Sequence, residues 1–236
     1  KKEKEMLQTM LQFGVDGILM SLTKHTVDIE PILYALHQKP LILFDKVSSK
    51  VPCTQIIING EEAAFNAVEH LINIGKKRIA ILKEFEQSYN SEKRFQGYLR
   101  ALKTNHIPVD EKLILSTHDI SLKKGRRLTS QLITLKEKPD AIFSITDAAA
   151  IGAIQTLKKF NFKIPEEVAV IGFSNSLSST IVEPGLTTID QPGNRIGEMA
   201  VKYLIKEIEE PKEHLSSKTI EINTNLIIRE STLVSN

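Results

Sequence analysis

Short apolar runs alternate with longer segments of helical spacing along the first third of the chain. The runs are rich in Ile, Leu and Val, and they cover residues 15–20, 41–44, 56–58 and 79–82. Such runs are typical of strands that are buried on both faces of a parallel sheet. Helical segments at 29–37 and 61–74 separate them, and Gly75 follows the second segment as a helix stop. This alternation predicts an α/β fold with a doubly wound parallel sheet.

A polar segment without a clear period, residues 83–90, interrupts the alternation, which then resumes. The resumed pattern predicts helices at 93–104, 123–135 and 148–160, and strands at 113–115, 141–145 and 168–171. We interpret the polar segment as the first crossing into a second lobe. The Asp-Gln-Pro-Gly breaker at 190–193 would return the chain to the first lobe for a helix at 194–209. The expected organisation is an N-terminal lobe at 1–86, a C-terminal lobe at 87–190, and returns to each lobe at 191–214 and 215–236.

The composition is that of an ordinary globular protein. The chain has 236 residues, of which 41% are hydrophobic and 25% charged, and its formal net charge is +2. This small charge gives no indication of nucleic-acid binding by these residues. The single cysteine, Cys53, fits a reducing compartment, and no apolar run approaches the roughly 18 residues of a membrane span. The Lys and Arg clusters fall at predicted helix ends or exposed faces, where solvation explains them.

Enzymatic and metal-binding motifs are missing from the sequence. There is neither GxGxxG nor GxxxxGK[ST], and the six histidines show no paired metal spacing. The segment from Gly172 to Ser176 resembles a nucleophile elbow only in its first three positions. We therefore expect no cofactor, no metal and no enzymatic activity.

Polar side chains follow several of the predicted strands, where ligands bind in open α/β sheets. Asp45 and Asp147 each come just after a strand, and Ser174 and Asn175 follow a third. Arg94 opens the helix after the polar segment. Carboxylates, amides and an Arg fork together suit a polyhydroxylated ligand. Two simpler interpretations stay open: Asp147 is also a natural helix cap, and Arg94 could pair with a surface glutamate.

Seven motifs occur in the same order as in the effector-binding domain of LacI/GalR-type bacterial transcription regulators, which the chain therefore resembles. They are Asp16–Ile18, Pro40–Asp45, His70–Ile79, Arg94–Tyr98, Pro139–Ala153, Val168–Ala200 and Ile228–Thr232. The resemblance implies a type I periplasmic-binding-protein-like fold, with two Rossmann-like lobes joined by a three-strand hinge. It also implies that the DNA-binding head and the first strand-helix-strand of the sensor would precede residue 1.

The same resemblance implies a function. A small molecule, expected to be a sugar or sugar derivative, would bind between the lobes of a cytoplasmic homodimer and control operator binding through the head. The alternatives are a periplasmic sugar-binding protein of a transporter and an enzyme with a Rossmann-like core. Ser174 stands where many members carry Asp, and Ile120 where some carry an aromatic ring. We keep both as expected ligand contacts, with Arg94 at the rim of the site as the main charge-assisted contact.

Overall fold

The computed structural model describes residues 2–23, 25–85, 88–210 and 217–233. Its strands are β1 (Ile18–Met20), β2 (Leu41–Phe44), β3 (Gln55–Ile58), β4 (Ile79–Glu84), β5 (Ile114–Thr117), β6 (Ala141–Ser144), β7 (Ala169–Ser174), β8 (Thr187–Asp190), β9 (Thr219–Ile222) and β10 (Asn225–Ile227). Its helices are α1 (Lys2–Gln12), α2 (Glu30–Gln38), α3 (Gly60–Asn73), α4 (Tyr89–Thr104), α5 (Leu122–Leu132), α6 (Asp147–Lys159), α7 (Ser178–Ile181) and α8 (Gly193–Glu209). The α/β class predicted from the sequence is confirmed.

The chain divides into two compact units. Unit 1 comprises Lys1–Asn59 and Pro192–Asn223, and unit 2 comprises Gly60–Gln191 and Thr224–Asn236. The sheet of unit 1 is entirely parallel, in the order β1-β2-β3-β9. Its core lies along β2 and β3: the side chains from Leu41 to Leu43 in β2 are fully buried, and those from Ile56 to Ile58 in β3 are buried.

Unit 2 contains a six-stranded sheet in the order β10-β8-β7-β6-β4-β5. All neighbours are parallel except β10, which pairs antiparallel with β8. Helices α5 and α6 pack closely because each presents a glycine to the other. A Cβ on Gly125 would stand 2.7 Å from the Ala149 Cα, and a Cβ on Gly152 would stand 2.9 Å from the Arg126 nitrogen. Helix α6 is buried over much of its circumference, since nine of its residues from Asp147 to Leu157 are buried.

The boundaries of the two units differ from the expected ones. The chain changes unit three times, at Asn59–Gly60, Gln191–Pro192 and Asn223–Thr224. The first change lies well before the expected residue 86, because β4 pairs with β5 and β6. The last one places β9 in unit 1, where it pairs with β3. The segment 83–90, which we expected to be the first crossing, lies within unit 2 as far as it is described.

None of the helices in the described residues is both long and apolar enough to cross a membrane.

Candidate functional site

The neighbouring strands β4, β6 and β7 of unit 2 run parallel, so their carboxyl ends meet at one edge of the sheet. Thr146 and Asp147 follow β6, and Ser174 to Ser176 end β7 and form the turn after it. This edge brings Asp147, Ser174 and Asn175 together, as predicted from the sequence.

The Asp147 carboxylate is buried, with 2% of the residue exposed. Its Oδ2 accepts a hydrogen bond from the Ser176 backbone N–H at 2.7 Å, and its Oδ1 accepts one from the Thr188 hydroxyl at 2.5 Å. The helix cap is Thr146, whose hydroxyl accepts from the Ala149 N–H at 3.4 Å. Asp147 is therefore not the cap but a first-turn residue, where the positive end of the helix dipole stabilises its charge. A carboxylate has about four acceptor positions, so two bonds leave capacity for a ligand.

The turn after β7, which we call the carboxyl-end loop (Ser174–Ser176), has an unusual backbone. Ser174 has a φ of 127° and Asn175 a φ of 50°, both in the region that side chains rarely adopt. Gly172, two residues earlier, lies against the Asp147 carboxylate, and a Cβ there would also stand 2.8 Å from the Leu186 side chain. The family motif around Gly172 therefore has a steric reason: only glycine leaves room for the buried carboxylate.

The polar side chains of the carboxyl-end loop are engaged within unit 2. Ser174 Oγ accepts from the Gln191 amide at 2.7 Å. Asn175 Nδ2 donates to Asp190 at 2.8 Å, and its Oδ1 accepts from Arg229 at 2.7 Å. These bonds show that Ser174 and Asn175 have structural roles, whatever else they contact.

Arg94 is buried, with 6% exposed, so the expectation that it lies at a rim is wrong. Its Nη1 donates to the Ile145 carbonyl at 2.7 Å. The centre of its guanidinium lies 3.7 Å from the centroid of the Phe173 ring, close enough for a cation–π interaction. Arg94 sits in the second turn of α4, and its guanidinium contacts the residue that follows β6 by one position, Ile145, and the ring of Phe173 in β7. The sequence could not show this burial, because arginine in a helix is usually exposed.

The remaining two predicted contacts lie elsewhere. Asp45 belongs to unit 1, at the end of β2, with a φ of 58°. Ile120 belongs to unit 2, but its side chain packs, partly buried, against the hydrophobic core. Its carbonyl accepts from the Thr146 hydroxyl at 3.4 Å.

A pocket of about 680 Å³ opens beside Asp147 in unit 2. The polar residues of its lining are Asp147, Gln155 and four with hydroxyl groups, Thr146, Ser174, Ser176 and Ser178. Helices α5, α6 and α7 supply apolar side chains to the rest of the wall. Neither Arg94 nor Asn175 lines this pocket.

Several site residues escaped the sequence analysis. Three residues form hydrogen bonds to the carboxyl-end loop from other parts of the chain: Thr188, Gln191 and Arg229. Their distance from the loop along the chain gave no indication of these bonds. Phe85 and His118 follow the adjacent strands β4 and β5, and their ring centroids are 5.4 Å apart. Phe85 is 60% exposed, and neither of the two residues lines the pocket beside Asp147. An aromatic residue directly after a strand is the one signal that could have indicated this pair.

Two further titratable side chains, His70 and Lys76, are at least partly buried and hydrogen-bonded within the protein. Burial lowers the pKa of His70, whose Nε2 lies 3.0 Å from the Thr232 hydroxyl. Burial also lowers the pKa of Lys76, whose ammonium donates to the carbonyls of Pro165 and Glu166. No group of three His, Cys, Asp or Glu side chains within the described ranges is arranged to hold a metal ion.

Known proteins share this chain's sequence and fold. A family model described as a periplasmic binding protein-like domain matches residues 68–232. The NTD biosynthesis operon regulator NtdR of Bacillus subtilis (strain 168) is 34% identical over 231 residues, which cover 98% of this chain and 69% of the relative.

Two solved structures with bound sugars are also similar. The transcriptional regulator CelR in complex with cellobiose has a TM-score of 0.86 at 25% identity and covers 98% of this chain and 70% of its own. A LacI family regulator of Enterococcus faecium with bound ribose has a TM-score of 0.85 at 25% identity, over 96% of this chain and 83% of its own. The chain belongs to the LacI-type family of transcription regulators, as a periplasmic-binding-protein-like effector domain.

Proposed function

We propose that this domain senses a sugar or sugar derivative, which binds in the pocket beside Asp147 and controls operator binding by the regulator. One observation carries the proposal: the lining of one pocket in unit 2 combines the buried Asp147, whose carboxylate has spare acceptor capacity, with four hydroxyl residues and Gln155. Sugar hydroxyls both donate and accept, so they match a carboxylate and serine side chains in the same site.

The aromatic pair supports the same class of ligand. Phe85, which follows β4, is an exposed residue and lies beside His118, which follows β5. Exposed aromatic rings favour ligands with an apolar face, and the C–H face of a sugar ring provides one. The Enterococcus faecium relative was solved with ribose and CelR with cellobiose, which is consistent with this choice.

The regulatory part of the proposal is a shift between two conformations. A ligand changes that equilibrium only to the extent that its affinity for the two conformations differs. We propose that the regulator acts as a cytoplasmic homodimer, and that residues 1–236 do not themselves recognise DNA. The small net charge supports the last point. A solute-binding component of a transporter is the alternative, and the regulator names of the relatives favour sensing.

A panel of sugars tests the ligand. Isothermal titration calorimetry with ribose, cellobiose and glucose, and with inorganic phosphate as a non-sugar probe, should find at least one sugar that binds. Asp147→Asn should weaken that binding tenfold or more, since hydrogen bonds to a charged group contribute roughly 1.5–3 kcal/mol. Ser176→Ala removes one lining hydroxyl but keeps the backbone N–H that binds Asp147. Ser130→Ala is the matched control, because its hydroxyl bonds to Arg126 on α5, away from the pocket lining.

Two results would contradict the proposal. The first is a protein that binds none of the sugars, and the second is unchanged affinity in both Asp147→Asn and Ser176→Ala. Assembly is tested separately by sedimentation velocity at micromolar concentration, where a homodimer is expected and a monomer alone would oppose it.

A further inference from the structure

The carboxyl-end loop holds a backbone conformation that its own sequence does not favour. Ser174 and Asn175 both have positive φ values, 127° and 50°. Neither is glycine, so this conformation persists only where the surrounding structure holds it. The question is which side chains hold it.

The Arg229 side chain connects the loop to two neighbouring segments. Its Nη2 donates to Asn175 Oδ1 at 2.7 Å. Its Nη1 donates to the Leu186 carbonyl at 2.7 Å and to the Ser179 hydroxyl at 3.2 Å. One guanidinium thus joins the loop, the α7 helix and the segment that enters β8.

The bond from Arg229 also sets the orientation of the Asn175 amide. The Oδ1 atom faces the guanidinium, and Nδ2 donates to Asp190 Oδ1 at 2.8 Å. The reversed amide would place its NH₂ against the guanidinium and its oxygen against a carboxylate. Arg229 and Asp190 therefore leave Asn175 a single orientation.

Hydrogen bonds connect the carboxyl-end loop to the Asp147 carboxylate. The Asn175 backbone N–H donates to the Thr188 hydroxyl at 3.3 Å, and that hydroxyl donates to Asp147 Oδ1. The next residue, Ser176, donates its N–H to Asp147 Oδ2. The position of the buried carboxylate therefore depends on a loop that Arg229 holds from outside the pocket lining.

We propose that Arg229 is a positioning residue for the ligand pocket: it holds the carboxyl-end loop in its left-handed conformation and so orients Asp147 and Ser176. The importance for ligand binding rests on the function proposed above. Arginine is required because its planar fork reaches three acceptors at once, whereas a lysine ammonium is a single point. If Arg229 supplied only a positive charge, lysine could replace it. Lysine cannot replace it if the three hydrogen bonds of the guanidinium hold the loop.

Hydrogen–deuterium exchange, measured by mass spectrometry without ligand, tests the proposal. In Arg229→Lys, amides in a peptide spanning residues 173–181 should exchange about tenfold faster or more, while those of β4 and β6 keep their wild-type protection. Arg100→Lys is the matched control: this arginine of unit 2 pairs with Glu61 and Glu62, and its replacement should leave residues 173–181 unchanged.

A second variant covers the case in which Arg229→Lys fails to fold. Asn175→Gly accepts a φ of 50° without strain and removes the acceptor of Arg229, so it should accelerate exchange in the same segment. Unchanged exchange of residues 173–181, or equal acceleration throughout unit 2, would overturn the proposal. Because no ligand is present, this result is independent of whether any sugar binds.

Discussion

Arg94→Met isolates the contribution of a buried guanidinium to the stability of unit 2. Methionine keeps the volume of the aliphatic stem but removes the charged guanidinium. The variant therefore loses the hydrogen bond to the Ile145 carbonyl and the cation–π contact, in which the guanidinium lies 3.7 Å from the centroid of the Phe173 ring. The guanidinium makes two contacts whose typical contributions to stability are known. A desolvated cation–π contact contributes about 2 kcal/mol, and a buried carbonyl that loses its donor costs about 1–3 kcal/mol.

These losses are partly offset, because the variant no longer buries a charge. The net decrease in the free energy of unfolding should be about 2 kcal/mol or more, which lowers Tm by roughly 4–8 °C in a chain of this size. Differential scanning calorimetry and urea unfolding measure both quantities. The notable consequence is that Arg94 would affect stability even in the absence of any ligand.

Arg100→Met is the control, because it makes the same substitution over another phenylalanine. The Arg100 guanidinium lies 4.3 Å from the Phe65 ring, but 39% of the side chain is exposed. Exposed ion pairs and cation–π contacts each contribute about 1 kcal/mol or less, so this variant should lose less stability. Equal losses in the two variants, or an unchanged Tm in Arg94→Met, would refute the reasoning that burial makes the difference.

Three further predictions concern packing, pH and thiol reactivity. Gly97→Ala should lower the free energy of unfolding in urea by about 1–3 kcal/mol, because its methyl group would collide with the Glu61 backbone oxygen where α3 meets α4. Burial lowers the pKa of His70, so the unfolded chain binds more protons and stability should fall as pH drops below about 6.5. His70→Gln, which can still bond to Thr232, should reduce that fall in urea titrations at several pH values. Burial raises the pKa of the Cys53 thiol to about 11, so a disulfide reagent at neutral pH should react far more slowly with native than with denatured protein.

The local elements followed from the sequence. The apolar runs at 41–44, 56–58 and 79–82 match β2, β3 and β4 to within two residues at each end. Strand burial on two faces and helix burial on one leave a periodic trace in the chain, which can be recognised without knowing any partner. The alternation of these elements predicted the α/β class, and the seven ordered motifs added the family.

The assignment of strands to sheets did not follow from the sequence. We expected β4 in the first lobe and the segment 215–236 in the second, yet β4 pairs with β5 and β6, and β9 pairs with β3. A strand's apolar pattern records that it is buried but not beside which strand. Pairing partners far apart in the chain are decided by tertiary packing.

At the site, too, the sequence predicted some features and only the structure showed others. The meeting of Asp147, Ser174 and Asn175 at one sheet edge could be predicted, because polar residues that follow neighbouring parallel strands lie at the same edge, whereas their contact with a ligand stays a prediction. The burial of Arg94 and the role of Arg229 depend on contacts with Phe173 and Asn175, which lie 79 and 54 positions away along the chain. Sequence determined which groups reach the edge of the sheet, since that depends on local periodicity. Only the tertiary structure decided which of them are buried and which hold one another, because those interactions depend on distance in space.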